Sequence, residues 1–165
     1  MPASNTYESI SSVTLSNNST TVTFGSIPQT YTDLVLVIVA KITSGGLDMF
    51  VKINSDSGSN YSYTQLYGTG TSALSARASS QSIGIAGAVY ASNDGVVINQ
   101  FMNYSNTTTN KTWLTRINVA AATVSLITNL WRSTAAISSL ELSSGNPAGT
   151  FTSGSTFSLY GIKAA

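Results

Sequence analysis

The chain has 165 residues, contains no histidine and no cysteine, and carries a formal net charge of +1 with only 8% charged residues. It therefore lacks the most common general base, the thiolate nucleophile and two frequent metal ligands, and we expect no enzymatic activity, no metal and no cofactor. The seven basic residues are scattered along the chain. Because nucleic-acid binding requires clustered positive charge, we expect no nucleic-acid partner. The longest apolar run, Leu34–Ala40, is far shorter than the roughly 20 residues of a membrane helix, so we expect no membrane contact either.

Alternation of polar and apolar residues dominates the chain and predicts β-strands. Thr21–Phe24 alternates, as does Met49–Ile53 apart from Phe50, and turn signals rich in Gly, Asn, Asp and Ser separate such segments. We predict strands near 7–15, 19–25, 31–42, 48–54, 60–67, 82–90, 95–104, 111–120, 123–131, 137–143 and 156–163.

Many short strands at regular spacing are typical of a β-sandwich or barrel. We predict an all-β fold, an antiparallel, jelly-roll-like β-sandwich of about eight to ten strands. We expect residues 1–165 to form a single domain, with a short polar N-terminal arm at about residues 1–6. The small polar segments 68–82 and 103–110 are predicted loops, and residues 133–137 are predicted to form a short helical connector.

The segment Leu34–Ile42 is apolar on both faces of its strand. This pattern predicts either a strand buried on both sides or a contact between subunits. Leu34, Leu36 and Ile38 are therefore interface candidates.

Aromatic residues supply the other interface candidates. Tyr61, Tyr63 and Tyr67 share one face of a strand, where a tyrosine row can bind sugar, pack against another subunit or pack in the core. Trp131 is most simply a core anchor and Arg132 a partner for a carboxylate or carbonyl. An interface hot spot is the alternative for this pair, since Trp and Arg are enriched in hot spots.

The segment Asn54–Asn60 offers side-chain oxygens at alternating positions, as calcium loops do. It has a single carboxylate, Asp56, and no terminal glutamate. We therefore interpret it as a turn stabilised by Asn and Asp side chains. No Ser-x-x-Lys spacing occurs, and most of the six carboxylates fall in turns or at strand ends, so we identify no catalytic residues.

Four segments, taken together, resemble the small β-rich structural proteins of tailed bacteriophages, especially phages of cyanobacteria. They are Ser26–Leu36, Asn54–Tyr63, Leu130–Ile137 and Ser155–Lys163. The resemblance spans nearly the whole chain and implies a virion structural protein. Among small stand-alone members it implies a capsid cement (decoration) protein, which binds and stabilises the outer surface of the assembled major capsid protein lattice.

The same resemblance implies a location on the capsid exterior of the virion, reached from the host cytoplasm during assembly. Its partner is then the phage's major capsid protein, and we expect a homo-oligomer, with a trimer favoured and a dimer as the alternative. Ser, Thr and Asn supply hydrogen-bonding groups with little charge, which suits a broad contact of this kind. The alternative is a tail-associated receptor-binding or carbohydrate-binding β-sandwich.

Overall fold

The computed structural model describes residues 6–145 and 149–163, with the side chain of Leu47 excepted. The predicted N-terminal arm lies outside the described residues except for Thr6. The twelve strands are β1 (Tyr7–Thr14), β2 (Thr21–Phe24), β3 (Asp33–Ala40), β4 (Gly46–Ile53), β5 (Tyr61–Gly68), β6 (Ala73–Gln81), β7 (Gly84–Tyr90), β8 (Gly95–Met102), β9 (Lys111–Val119), β10 (Thr123–Trp131), β11 (Leu140–Ser144) and β12 (Thr156–Ile162).

The strands form two sheets. The large sheet has eight strands in the order β1-β12-β3-β8-β9-β10-β5-β6, and the small sheet has four in the order β2-β11-β4-β7. All neighbouring strands are antiparallel, and the chain passes repeatedly from one sheet to the other, as in jelly rolls and other Greek-key sandwiches. The predicted antiparallel β-sandwich is confirmed, with twelve strands in place of eight to ten.

The core lies between the sheets and follows directly from the alternation in the sequence. On β9 every second side chain, from Lys111 through Trp113 to Val119, is buried. Trp113 stacks on Phe101 at 5.5 Å and meets Tyr61 edge-on at 6.5 Å between ring centroids. Aromatic burial of this kind contributes several kcal/mol per side chain, roughly 3–5 on truncation to Ala.

One predicted loop is a strand. Residues 68–82 were expected to be irregular, but Ala73–Gln81 forms β6, which pairs with β5 along most of its length. Ala and Ser have low β propensity and give no apolar alternation, so the local sequence carries no strand signal. The hydrogen bonds offered by β5 decide the conformation instead.

The predicted helical connector at residues 133–137 is also wrong, because the segment is irregular and non-helical. Residues distant in the sequence hold the end of this segment. The Ile137 N–H donates to the Tyr104 carbonyl at 2.9 Å, and the Ile137 carbonyl accepts from Gln29 Nε2 at 2.9 Å. These tertiary bonds satisfy the backbone groups that a helix would have paired. The predicted loop at residues 103–110 is confirmed as a turn built around the Asn106 side chain.

Side chains of the large sheet cap the edge of the small sheet. β7 is an edge strand of the small sheet and pairs with β4 on one side only. On its free side the backbone bonds to side chains rather than to another strand. Trp113 Nε1 donates to the Ile85 carbonyl at 3.2 Å, the Ile85 N–H donates to Asn129 Oδ1 at 3.3 Å, and Asn99 Nδ2 donates to the Ala86 carbonyl at 2.9 Å. The edge is thereby protected from pairing with another chain.

A buried threonine joins these capping residues into one network. Thr115 Oγ1 donates to Asn99 Oδ1 at 2.7 Å and accepts from Asn129 Nδ2 at 3.2 Å. All three side chains are at least 99% buried. Among the described residues no buried side-chain nitrogen or oxygen lacks a partner, so this polar core is fully satisfied.

No helix among residues 6–145 and 149–163 is long and apolar enough to cross a membrane.

Candidate interaction surface

The three aliphatic interface candidates lie in the core. Leu34, Leu36 and Ile38 are 0% exposed and point from β3 toward the small sheet. They offer a partner no exposed surface. On the opposite side of the same strand, Val39 is exposed.

The tyrosine row also faces inward. Tyr61 is 0% exposed, and its hydroxyl accepts from the Ile53 N–H at 3.0 Å and donates to the Asp56 carbonyl at 3.2 Å. Burial raises the pKa of Tyr61 to about 12. Tyr63 and Tyr67 are half-buried on the same side of β5. Of the three alternatives for this row, which are sugar binding, subunit packing and core packing, Tyr61 shows core packing.

Trp131 is a core anchor with a polar attachment. It is 2% exposed, stacks on Tyr61 at 6.4 Å between centroids, and donates from Nε1 to Asp56 Oδ2 at 2.6 Å. This bond is the main reason that the pKa of the Asp56 carboxyl lies below its usual value. The interaction fixes the Asn54–Asn60 loop to the end of β10.

The same loop contains the Asx turn that the sequence indicates. Asp56 Oδ1 accepts from the Gly58 N–H at 2.8 Å, and Oδ2 accepts from Asn60 Nδ2 at 2.8 Å in addition to Trp131. Both carboxylate oxygens therefore accept hydrogen bonds from the protein. Within the described part of the chain, no three His, Cys, Asp or Glu side chains are grouped so that they could hold a metal ion.

The side of the large sheet that faces away from the small sheet, here called the outer face, carries an unusual number of exposed apolar side chains. Leu66 is 61% exposed and Val124 63%. The outer apolar patch consists of Leu66, Val96, Ile98, Val124 and Leu126. Antiparallel sheets with one solvated face are usually polar on that face, so this patch is a candidate interaction surface.

The strand register makes the patch contiguous. Leu66 on β5 lies opposite Leu126 on β10, which lies opposite Arg116 on β9, which in turn lies opposite Ile98 on β8. Val96 and Val124 occupy the next row of the same face, on either side of Asn118. These side chains line an open recess with a volume of about 990 Å³.

Arg116 is the charged residue within this apolar setting. Its side chain is exposed and lines the recess between Ile98 and Leu126. Its guanidinium makes no hydrogen bond and no ion pair with any described residue.

The other end of the outer face is polar. A second recess of about 610 Å³ is bordered by Arg77 on β6 and by Arg132 after β10, whose Nη2 donates to Ser62 Oγ at 2.6 Å. The hydroxyl–arginine patch consists of Ser62, Thr64, Thr112, Thr128, Arg77 and Arg132. Arg132 is thus the one predicted interface residue that lies exposed on this face.

The carboxylates lie elsewhere. The five adjacent strands β5, β6, β8, β9 and β10 contain no Asp and no Glu. The two ion pairs formed by described residues, Lys52–Glu141 at 3.7 Å and Lys163–Glu8 at 2.5 Å, are on β4–β11 and at the β1–β12 edge. All three arginines of the chain therefore contribute positive charge to the part of the outer face that these five strands form, where no strand carries an acidic residue.

Sequence reasoning missed the outer apolar patch, although the alternation of inward and outward residues along β10 indicates it. If Trp131 faces the core, then Asn129, Ile127 and Ser125 face it too, and Val124 and Leu126 must point outward. The apolar character of the whole segment concealed this, because both phases of β10 contain Val, Leu or Ile.

Comparison with known proteins gives no relative from which a function can be transferred. No protein-family model matches the chain, and no curated protein matches it. One similar solved structure is that of a protein of unknown function, SO2946, from Shewanella oneidensis MR-1. It shares 7% identity, with 100% of this chain and 82% of that chain covered and a TM-score of 0.23. This degree of similarity supports no conclusion about fold or function.

Proposed function

We propose that this protein is a non-enzymatic structural protein of a virion, a capsid cement protein that binds the outside of the assembled major capsid protein lattice. The observation that carries the proposal is the outer apolar patch around Arg116. Contiguous exposed apolar surface of this kind marks interaction sites in soluble proteins. The specific assignment to a phage capsid is supported by the resemblance in the four segments named above.

The energetics of the patch suit binding to a repeated lattice. Complete burial of a Leu or Val side chain contributes roughly 1.5–3 kcal/mol, and side chains that are already half covered contribute about half as much. Leu66, Val124 and Leu126 together then contribute about 3 kcal/mol, which is modest for a single contact. A protein that binds only the assembled lattice stabilises it by mass action, and oligomerisation multiplies the modest contact.

Homo-oligomerisation, preferably as a trimer, belongs to the same proposal. A closed trimer would place three outer faces on one lattice position and would bind with the combined strength of all three. The hydroxyl–arginine patch adds donors and acceptors at the rim of the contact.

Quantitative mass spectrometry of purified particles tests the proposal. A cement protein is present in hundreds of copies per virion, and capsids that lack it break more readily under heat or osmotic shock. A few copies per particle would point to the tail, and complete absence would refute a virion role.

The second candidate, a receptor-binding or carbohydrate-binding tail protein, is favoured by the hydroxyl–arginine patch alone. Sugar-binding surfaces commonly use exposed aromatic rings, whereas Tyr61 is buried and Tyr63 and Tyr67 are half-buried. Binding to host surface glycans that is lost in the Arg77→Gln and Arg132→Gln double variant would support this candidate over the cement role.

A further inference from the structure

We propose that the outer apolar patch docks on a protein surface that places a carboxylate against Arg116, and that a second copy of the same face is not its partner. This inference deepens the proposed function, because it states the chemistry of the partner surface. It requires that the outer face be a binding surface, but it does not depend on which assembly provides the partner.

The first step of the argument is the position of Arg116. Its cross-strand neighbours are Ile98 and Leu126, and its side chain lines the recess formed by the apolar patch. Any partner that covers Leu126 therefore also removes water from the guanidinium. Burying an unpaired charge is strongly unfavourable, so a stable contact must supply a counter-charge at this point.

The second step is that the part of the outer face around Arg116 does not supply that counter-charge itself. The strands β5, β6, β8, β9 and β10 carry no Asp and no Glu, and Arg77 and Arg132 border the same face. Two copies meeting face to face would bring arginines together and leave them without carboxylates. Charge complementarity thus disfavours an isologous dimer centred on these five strands and favours an acidic partner.

The third step is the geometry of recognition. A guanidinium binds a carboxylate through two parallel hydrogen bonds, which gives both strength and orientation. With Leu66, Val124 and Leu126 around it, Arg116 selects a carboxylate set among apolar side chains. A uniformly acidic surface or a uniformly apolar one fits the patch less well.

Peptide titration of the isolated protein, followed by NMR of the ¹⁵N-labelled chain, tests this inference. The probes are the capped tripeptides acetyl-Leu-Glu-Leu-amide and acetyl-Leu-Gln-Leu-amide, which differ only in the charge. The inference predicts that the Glu peptide binds with an about fivefold lower Kd than the Gln peptide, with the largest shifts at Arg116 and Leu126. Arg116→Gln should reduce this preference to about one, and the matched control Arg77→Gln should keep it.

Three results would overturn the inference. They are equal affinity of the two peptides for the unaltered protein, equal loss of the preference in both arginine variants, and self-association that Leu126→Ser abolishes. All are measured on the isolated protein by titration or sedimentation. Their outcome is separate from the particle mass spectrometry, so this inference and the capsid role can fail independently.

Discussion

The two faces of strands β8, β9 and β10 both depart in places from the usual rule for an antiparallel sheet, in which apolar side chains face the core and polar ones face solvent. The inward face presents Asn99, Thr115 and Asn129 to the sandwich interior, whereas the outward face presents Val124 and Leu126 to solvent. Polarity alone therefore does not decide which way a side chain points in this sheet. The neighbour that each face meets decides it.

On the inward face, that neighbour is the edge of β7. Its backbone groups would be buried without partners if only aliphatic side chains faced them, and unpaired buried backbone groups are costly. The two asparagines and Trp113 pair with those groups. On the outward face no described element covers the aliphatic side chains, which is consistent with a partner in an assembly.

The largest expected effect lies on the inward face of β9. Trp113→Ala should lower the free energy of unfolding by about 3–5 kcal/mol, because it opens a cavity beside Phe101 and Tyr61. The adjacent Leu114→Ala, which alters the outward face, should cost about 1 kcal/mol or less. Urea unfolding of both variants measures the contrast, and equal losses would contradict the assignment of the two faces.

Alkaline pH should destabilise the protein through Tyr61. Its pKa is raised from 10.0 to about 12, so the unfolded chain loses the phenolic proton first and stability falls as the pH rises from 10 toward 12. The expected loss from this residue is about 2–3 kcal/mol across that window. Tyr61→Phe should reduce the slope of stability against pH by up to one proton. An unchanged slope would show that the hydroxyl is not protected from ionisation.

The next contrast is in stability, between variants of two neighbouring residues of β10, of which only Asn129 bonds to the free edge of β7. Asn129→Ala removes the acceptor of the Ile85 N–H and the donor to Thr115, and should cost about 1–3 kcal/mol. Thr128→Ala, exposed on the outer face, should change stability by about 0.5 kcal/mol or less. Thermal unfolding of the pair measures the difference. If Asn129→Ala left the stability unchanged, water would have to replace the lost amide as the hydrogen-bond partner.

Two glycines extend the comparison to backbone packing. A Cβ at Gly84 would lie 2.5 Å from the Trp113 ring, so Gly84→Ala should destabilise the protein by about 1–3 kcal/mol. A Cβ at Gly68 would meet Val124 at 3.6 Å, an ordinary contact, so Gly68→Ala should be neutral or stabilise by about 0.5 kcal/mol. The unfolding midpoints of the two variants measure these stability changes. Destabilisation of similar size at the two positions would contradict the account.

Much of the fold was predictable from the sequence because alternation and turn residues are local signals. The strands from Trp113 to Trp131 and the turn at Asp56 follow from such signals. β6 was not predictable, since Ala and Ser in residues 73–81 give no pattern and the strand forms by pairing with β5. The interaction surface was only partly predictable. Arg132 lies on the outer face, whereas Leu34 and Tyr61 are core residues, because the sequence cannot specify which face the second sheet covers.

Hydroxyl-radical footprinting of the protein on assembled particles, compared with the free protein, tests the central claim most directly. The claim is that the outer face of the large sheet is the binding surface. We expect strong protection on the particle of Leu66 and Leu126, and of Met102, which lies exposed on the same face at the end of β8. Tyr7, which is 58% exposed on the β1 edge strand, should change little. Equal labelling of the three outer-face residues in the two states, or protection confined to Tyr7, would contradict the account.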